Sequence, residues 1–180
     1  MLTHDLRRTR WNELVVGVRS VVRRQHGWHE TARLVAAELE RDLPSPEVLT
    51  AEQRAGDVDG FRSHLLHVDP GGSFSIVGLV WQPGQTTEVH DHVTWCVFGV
   101  IQGVEHEELF ALDEKRGVLV EAGSNTNRAG DVQGFAPPGD IHRVRNVGDD
   151  TAISIHIYGT DVSRIGSSVR RYYDQPVVAG

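Results

Sequence analysis

The chain has 180 residues, a formal net charge of −7 and 24% charged side chains, which suits one compact domain with a buried core and argues against a nucleic-acid surface, where clustered Lys and Arg must displace counterions. The basic cluster Arg7, Arg8 and Arg10 leads into no apolar run of signal-peptide type and no later stretch is long enough for a bilayer, so a cytoplasmic chain without a membrane partner is expected. The one cysteine, Cys96, excludes an internal disulfide and a Cys-rich zinc site, so a metal would be held by His or carboxylates.

Leu14, Val15, Val18, Val21 and Val22 recur at the spacing of one helical face, which predicts a helix from Asp5 to Gln25 that ends near Gly27. A second helix is predicted from Glu30 to Asp42, with Trp28, Ala32, Val35 and Leu39 on one stripe and Pro44 as its stop. Ser45-Pro46-Glu47 reads as the cap and first turn of a short third helix ending before Gly56. Helical periodicity then stops. From Phe61 to Tyr158 the segments FRSHLLHV, SFSIVGLVW, TWCVFGVIQG, EHEELFAL, GVLVEA, DVQGFAP, IHRVRNV and AISIHIYG alternate with Gly, Pro, Asp and Asn. Short strands at such regular spacing predict an all-β sandwich or barrel with the helices outside it. No repeat or flexible linker divides the parts, so a single domain over 1–180 is expected: a helical segment 1–56, a barrel 57–160, and a segment 161–180 that is a closing strand or a tail.

In an extended strand, residues i and i+2 share a face, so His90 and His92 present two imidazoles together while Asp91 points away. Among ten histidines an isolated H-x-H is a weak metal signal. A second stretch strengthens it: PPGDIHRVRN places Pro137, Gly139, His142 and Asn146 as P-x-G-x-x-H-x-x-x-N, while Gly84, His90, His92, Cys96 and Gly103 form G-x5-H-x-H-x3-C-x6-G. Elsewhere the histidines have plainer readings. His26 and His29 flank a helix junction, His64 and His67 fall on opposite faces of an early strand, and His106 sits among Glu105, Glu107 and Glu108 on a strand read as exposed.

The two motifs over Gly84–Asn146 resemble those of the cupin superfamily, which implies a mainly β fold, a cupin jelly-roll β-barrel, here with an N-terminal helical appendage. The slot where many cupins carry a glutamate ligand holds Cys96, so the resemblance implies a three-histidine set: His90, His92 and His142. Three neutral imidazoles leave a divalent charge uncompensated, which favours an anionic substrate such as a thiolate. Imidazole alone suits several metals.

A cupin of this kind, with HLLHVD before the first motif, PGQTTEVHDH within it and SIHIYG late in the barrel, resembles the thiol dioxygenases of the cysteine dioxygenase type, which include 3-mercaptopropionate dioxygenase. The resemblance implies Fe(II) as cofactor, a small thiol and O2 as partners, and a sulfinic acid as product. Ser154, His156 and Tyr158 alternate on one strand face and resemble the family's Ser-His-Tyr relay, whose tyrosine hydroxyl reaches the metal site. Aligning the first core strand at Leu65 puts Ser63 where animal members carry a carboxylate-binding Arg. Bacterial 3-mercaptopropionate enzymes instead have an Arg after the relay strand, which makes Arg164, Arg170 and Arg171 the candidates here. Cys96 occupies the position that in animal members forms a thioether to the relay tyrosine, so a Cys96–Tyr158 cross-link is implied. Two other classes share the histidine set: a non-catalytic metal- or ligand-binding cupin, and a Zn or Mn cupin hydrolase or isomerase. The sequence carries no signal for an oligomeric state.

Overall fold

A computed structural model describes residues 2–180, with side chains from residue 9 onward, so the side chains of Arg7 and Arg8 lie outside the described residues. The helical part holds α1 (Leu2–Val22), α2 (Trp28–Arg41), a 3-10 turn (Pro46–Val48) and α3 (Ala51–Arg54). Eight strands correspond to the eight segments read from the sequence: β1 (Arg62–Val68), β2 (Ser75–Trp81), β4 (Cys96–Gln102), β5 (Val104–Asp113), β6 (Val118–Arg128), β7 (Val132–Phe135), β8 (Ile141–Asn146) and β9 (Ala152–Tyr158). The H-x-H pair makes the short β3 (His90–His92), and α4 (Val162–Ile165), β10 (Val169–Tyr172) and β11 (Val177–Val178) follow. The end of the chain is therefore a closing strand: β10 pairs with β3, and β11 with β6.

The strands form a five-stranded sheet, β1-β2-β9-β4-β7, and a six-stranded sheet, β10-β3-β8-β5-β6-β11. The fold is mainly β: two sheets face each other, with the helices packed on the outer side of the five-stranded one. Alternation sorts the five-stranded sheet into two faces. Ile76, Val80, Val97, Ile153, Ile155 and Ile157 join Leu14, Val18, Val35 and Leu39 in one buried cluster. Val77, Leu79, Trp81, Cys96 and Tyr158 face the other way, with Val144 of the opposite sheet. Each fully buried Val, Leu or Ile on the helical side contributes about 1.5–3 kcal/mol, so the helices are held to the sheet by a continuous apolar layer. Gly99 permits their close approach, since a Cβ there would stand 2.7 Å from Leu43 Cδ1 and 3.1 Å from Leu39 Cδ2. Gly103, at φ +77, turns the chain from β4 to β5 where a Cβ would lie 2.8 Å from the Ala152 Cα.

Four local expectations need correction. Gly27 is not a left-handed helix end; α1 stops at Val22, Gln25 takes the positive φ of 54°, and Gly27 caps the start of α2. Trp28 lies at the very start of α2 and is 48% exposed, so the buried stripe is Ala32, Val35 and Leu39 without it. The third helix is broken after Val48, because Thr50 forms a capping box with Gln53 and starts a new helical turn. His64 and His67 share a face: a bulge between Leu65 and His67 shifts the register, so they pair with Gly78 and Ile76, both on the helical side of β2. Among the described residues no helix is long and apolar enough to cross a membrane.

Candidate metal centre and its relay

β3 carries His90 and His92 on one face, and β8 sets His142 directly opposite His90. All three rings are buried, and their candidate donor atoms lie within 4.8 Å of one another. The chain also fixes which nitrogen of each ring is available. His142 Nδ1–H donates to Glu107 Oε1 at 2.6 Å, His92 Nδ1–H donates to Asp140 Oδ2 at 3.1 Å, and His90 Nδ1–H donates to the Glu88 carbonyl at 2.9 Å. With every Nδ1 engaged as a donor, each Nε2 is left with a lone pair. His142 Nε2 is buried with no hydrogen-bond partner. Burial, followed by the neighbouring imidazoles His142 and His92, pushes the His90 pKa down to about 3. His90 is thus neutral, the form that binds a metal. Convergent ring nitrogens and an orphaned Nε2 fit a divalent transition metal held by three imidazoles.

Backbone features hold the two motifs in place. Gly84 N–H donates to the Asn146 carbonyl, so the start of the first motif is tied to the end of the second. Asn146 Nδ2 donates to the carbonyls of Trp81 and Asp150, and its Oδ1 accepts from Gly148 N–H. Asp91 points away from the histidines, as its place in the strand requires, and is buried under Arg170 and the Tyr173 hydroxyl.

The reading of residues 105–108 as an exposed strand is corrected by β5. Glu105 and Glu107 are 0% and 3% exposed and face inward, while Glu108 faces out and pairs with Arg143. Against the cost of burial, the hydrogen bonds from His142 and the Asn125 amide hold the Glu107 carboxyl below its usual range. Asp140 is likewise held low by His92, again against burial. Neither carboxylate was singled out by sequence. The available signal was the i, i+2 spacing of Glu105 and Glu107, which puts both on one strand face. Because Glu107 orients His142, Glu107→Gln is expected to weaken metal binding about 10–100-fold while the fold persists. Competition with a chromophoric chelator measures that loss.

The relay residues line up along β9. His156 lies 3.0 Å from Ser154 Oγ through Nε2 and 3.2 Å from the Tyr158 hydroxyl through Nδ1. Burial first, with the neighbouring His92, His142 and His90 adding to it, lowers His156 to about 3, so it works as a neutral ring. Phe98 stacks on it at 5.4 Å, and Tyr158 lies 6.0 Å from His92, ring to ring. Tyr158 and His90 both line a cavity of about 330 Å³ with Phe61, Ser63, Glu88 and Tyr172. Of the substrate-side candidates, Ser63 belongs to that lining. Arg164 is exposed on α4 outside the lining, and Arg171 is the register partner of Asp91, on the face turned from the histidines. Cys96 is the register partner of Tyr158, with Sγ 3.9 Å from His156 Nδ1, and burial pushes its thiol pKa up.

Among solved structures, the chain is similar to a double-stranded β-helix protein from Klebsiella pneumoniae subsp. pneumoniae MGH 78578 (TM-score 0.49, 17% identity, 61% of this chain and 85% of that one). It is also similar to a recombinant oxalate oxidase in complex with glycolate (TM-score 0.47, 21% identity, 58% of this chain and 53% of that one). Curated relatives include cysteine dioxygenase type 1 of Homo sapiens and of Mus musculus, each 32% identical over 104 residues, 56% of this chain and 52% of the relative. The match thus spans about half the length of these relatives. The family model described as cysteine dioxygenase type I matches residues 13–172, and with most of its length matched the chain belongs to the cysteine dioxygenase type I family.

Proposed function

We propose that this chain is a thiol dioxygenase that converts a small thiol of the cysteine or 3-mercaptopropionate type and O2 to a sulfinic acid, with Fe(II) held by His90, His92 and His142. The observation that carries the reading is the meeting of two constellations beside one cavity: three clustered buried imidazoles, of which His90 lines it, and a hydrogen-bonded Ser154-His156-Tyr158 line whose Tyr158 lines it too. The reaction balances without another reagent, since RSH plus O2 gives RSO2H. Sulfur loses four electrons, O2 gains four, and both oxygen atoms stay in the product.

Iron in this site would supply the redox chemistry toward O2 and the positive charge that lowers the pKa of the substrate thiol. The rest belongs to the chain. Phe61, Val77, Leu79, Val162 and Val169 make one side of the cavity apolar and limit water. Ser63, Ser167 and Ser168 offer hydroxyls to the polar end of a substrate. Tyr158, buried and with its pKa raised by burial, stays protonated across the working range, and its hydroxyl holds a proton within reach of the cavity. His156 and Ser154 fix which way that proton points. In the same reading residues 1–180 act as one domain, the helices closing the back of the five-stranded sheet.

Purified protein loaded with Fe(II) should consume O2 in a thiol-dependent way with cysteine, cysteamine or 3-mercaptopropionate, one O2 per thiol. Iron-loaded protein that takes up no O2 with any of them contradicts the proposal; tight zinc or manganese binding with hydrolase or isomerase turnover would replace it.

The Cys96–Tyr158 thioether belongs to this proposal. Forming the bond from S–H and a ring C–H releases two hydrogens to O2, and strand pairing already sets the two residues side by side. After aerobic turnover, intact mass should show a species lighter by two hydrogens whose Cys96 resists alkylation under denaturing conditions. Unchanged mass with full alkylation would exclude the cross-link.

A further inference from the structure

Glu105 is a charged side chain that neither the metal centre nor the relay, as described above, employs. It stands on β5, 0% exposed, and both carboxyl oxygens are buried without a hydrogen-bond partner. An unpaired buried carboxylate is costly, so such a group persists only with a partner in reach or a proton of its own. The polar groups that act on it are the Ser154 hydroxyl and the Trp81 indole. Those two also meet each other: Trp81 Nε1–H donates to Ser154 Oγ at 3.4 Å, and Ser154 Oγ lies 3.0 Å from His156 Nε2. Tyr158, two members further on, is itself subject to the charge of Glu105.

We propose that Glu105 is the far end of the relay, a positioning residue whose carboxyl group acts through Ser154, directly or through one water, to set the tautomer of His156 and so the direction of the Tyr158 hydroxyl. The inference rests on the reading of that relay as part of a thiol dioxygenase. Donor and acceptor counting gives two arrangements. With Glu105 ionised, the Ser154 hydroxyl donates to the carboxylate. Ser154 Oγ then accepts from Trp81 Nε1–H and His156 Nε2–H, and His156 Nδ1 accepts from Tyr158, whose proton is turned from the cavity. With Glu105 protonated, its O–H donates to Ser154 Oγ. The Ser154 hydroxyl donates to His156 Nε2, His156 Nδ1–H donates to Tyr158 oxygen, and the Tyr158 O–H is free to point into the cavity. With Glu105 ionised every donor in the line has an acceptor, with Glu105 protonated the Tyr158 O–H alone is left over for a group in the cavity, and one proton on Glu105 moves the line from one arrangement to the other.

The groups facing Glu105 leave this switch to operate near neutrality. Its register partners are two neutral amides, Asn127 of β6 and Asn146 of β8. β2 contributes Trp81, and β9 contributes Ser154 with neutral His156 behind it. The charged group acting on it is Glu107, on its own strand. Burial first, with Glu107 adding to it, raises Glu105 to about 7, while Ser154 and Trp81 pull it down. The arrangement that offers the tyrosine proton to the cavity therefore belongs to the acid side.

The test uses Glu105→Gln, whose side-chain amide can donate to Ser154 as the protonated acid does, and Glu105→Asp, which still titrates. In the iron-loaded wild type, kcat should fall about tenfold per pH unit above the limb near 7. Glu105→Gln should keep its pH 6 kcat at pH 8.5, Glu105→Asp should retain a limb, and KM and bound iron should stay at wild-type levels in both. Identical pH profiles for wild type and Glu105→Gln overturn the inference. A second readout needs no turnover. In zinc-loaded protein labelled with 15N-histidine, the His156 ring signals should change tautomer between pH 6 and 8.5 in the wild type and hold one tautomer in Glu105→Gln. A tautomer that never changes in the wild type overturns the inference too. If no thiol is oxidised by any form while the tautomer still switches, the functional reading fails and the role of Glu105 in the relay stands.

Discussion

Exchange of His142 for alanine is expected to remove bound iron and thiol-dependent oxygen uptake together, with activity below detection at iron concentrations that saturate the wild type. His90 and His92 are neighbours on β3 and could at best hold a metal as a pair, whereas His142 arrives from β8 and closes the site. Loss of a direct ligand should exceed the about 10–100-fold penalty for losing a residue that only orients one. The substitution also strands Glu107, whose partner across 2.6 Å is the His142 ring. Breaking a buried pair by removing one member costs about 3–5 kcal/mol, so melting of the metal-free variant must be compared with metal-free wild type. A His142→Ala protein that is folded and still carries iron at normal occupancy would mean that the third ligand is another residue.

The second large effect is expected at Tyr158. Tyr158→Phe keeps the ring that packs beside His92 and in the cluster with Cys96, and removes only the hydroxyl 3.2 Å from His156 Nδ1. Loss of a positioned proton donor typically lowers the rate about 10²–10⁴-fold. Iron occupancy should not change, since no metal-site histidine uses that hydroxyl as its hydrogen-bond partner. The fall should lie in kcat rather than KM. Equal kcat in the two proteins would remove the relay from the chemistry.

The candidate site is written in strand alternation, and that is why its grouping was legible. His90 with His92, and Ser154 with His156 and Tyr158, share a face because of a period of two, and the structure sets both groups inside the roll. The polar residues at the end of β6 gave no such signal. The strand runs on to Arg128 through Ser124, Asn125 and Asn127, held by its ladder with β5 rather than by an apolar pattern. The bulge between Leu65 and His67 was equally silent, although it decides that His64 and His67 both lie under the helices. The least visible part was the acidic layer. Glu105, Glu107 and Glu108 read as a solvated charge run, and only the pairing of β5 with β8 divides them into two buried groups and one exposed partner of Arg143. Asp140 was hidden for a different reason: it reaches His92 across 48 positions of sequence. Of the arginines that follow the relay strand, Arg170 and Arg171 pair with the buried Asp91, a contact that strand periodicity does not announce.

As the proposed thiol dioxygenase, this chain would place both atoms of O2 on the sulfur of its substrate. Turnover of iron-loaded protein under 18O2, with the product read by mass spectrometry, tests it most directly. The account predicts a sulfinic acid carrying two 18O atoms. A product with one label or none, or a disulfide as the sole oxidised species, would contradict it.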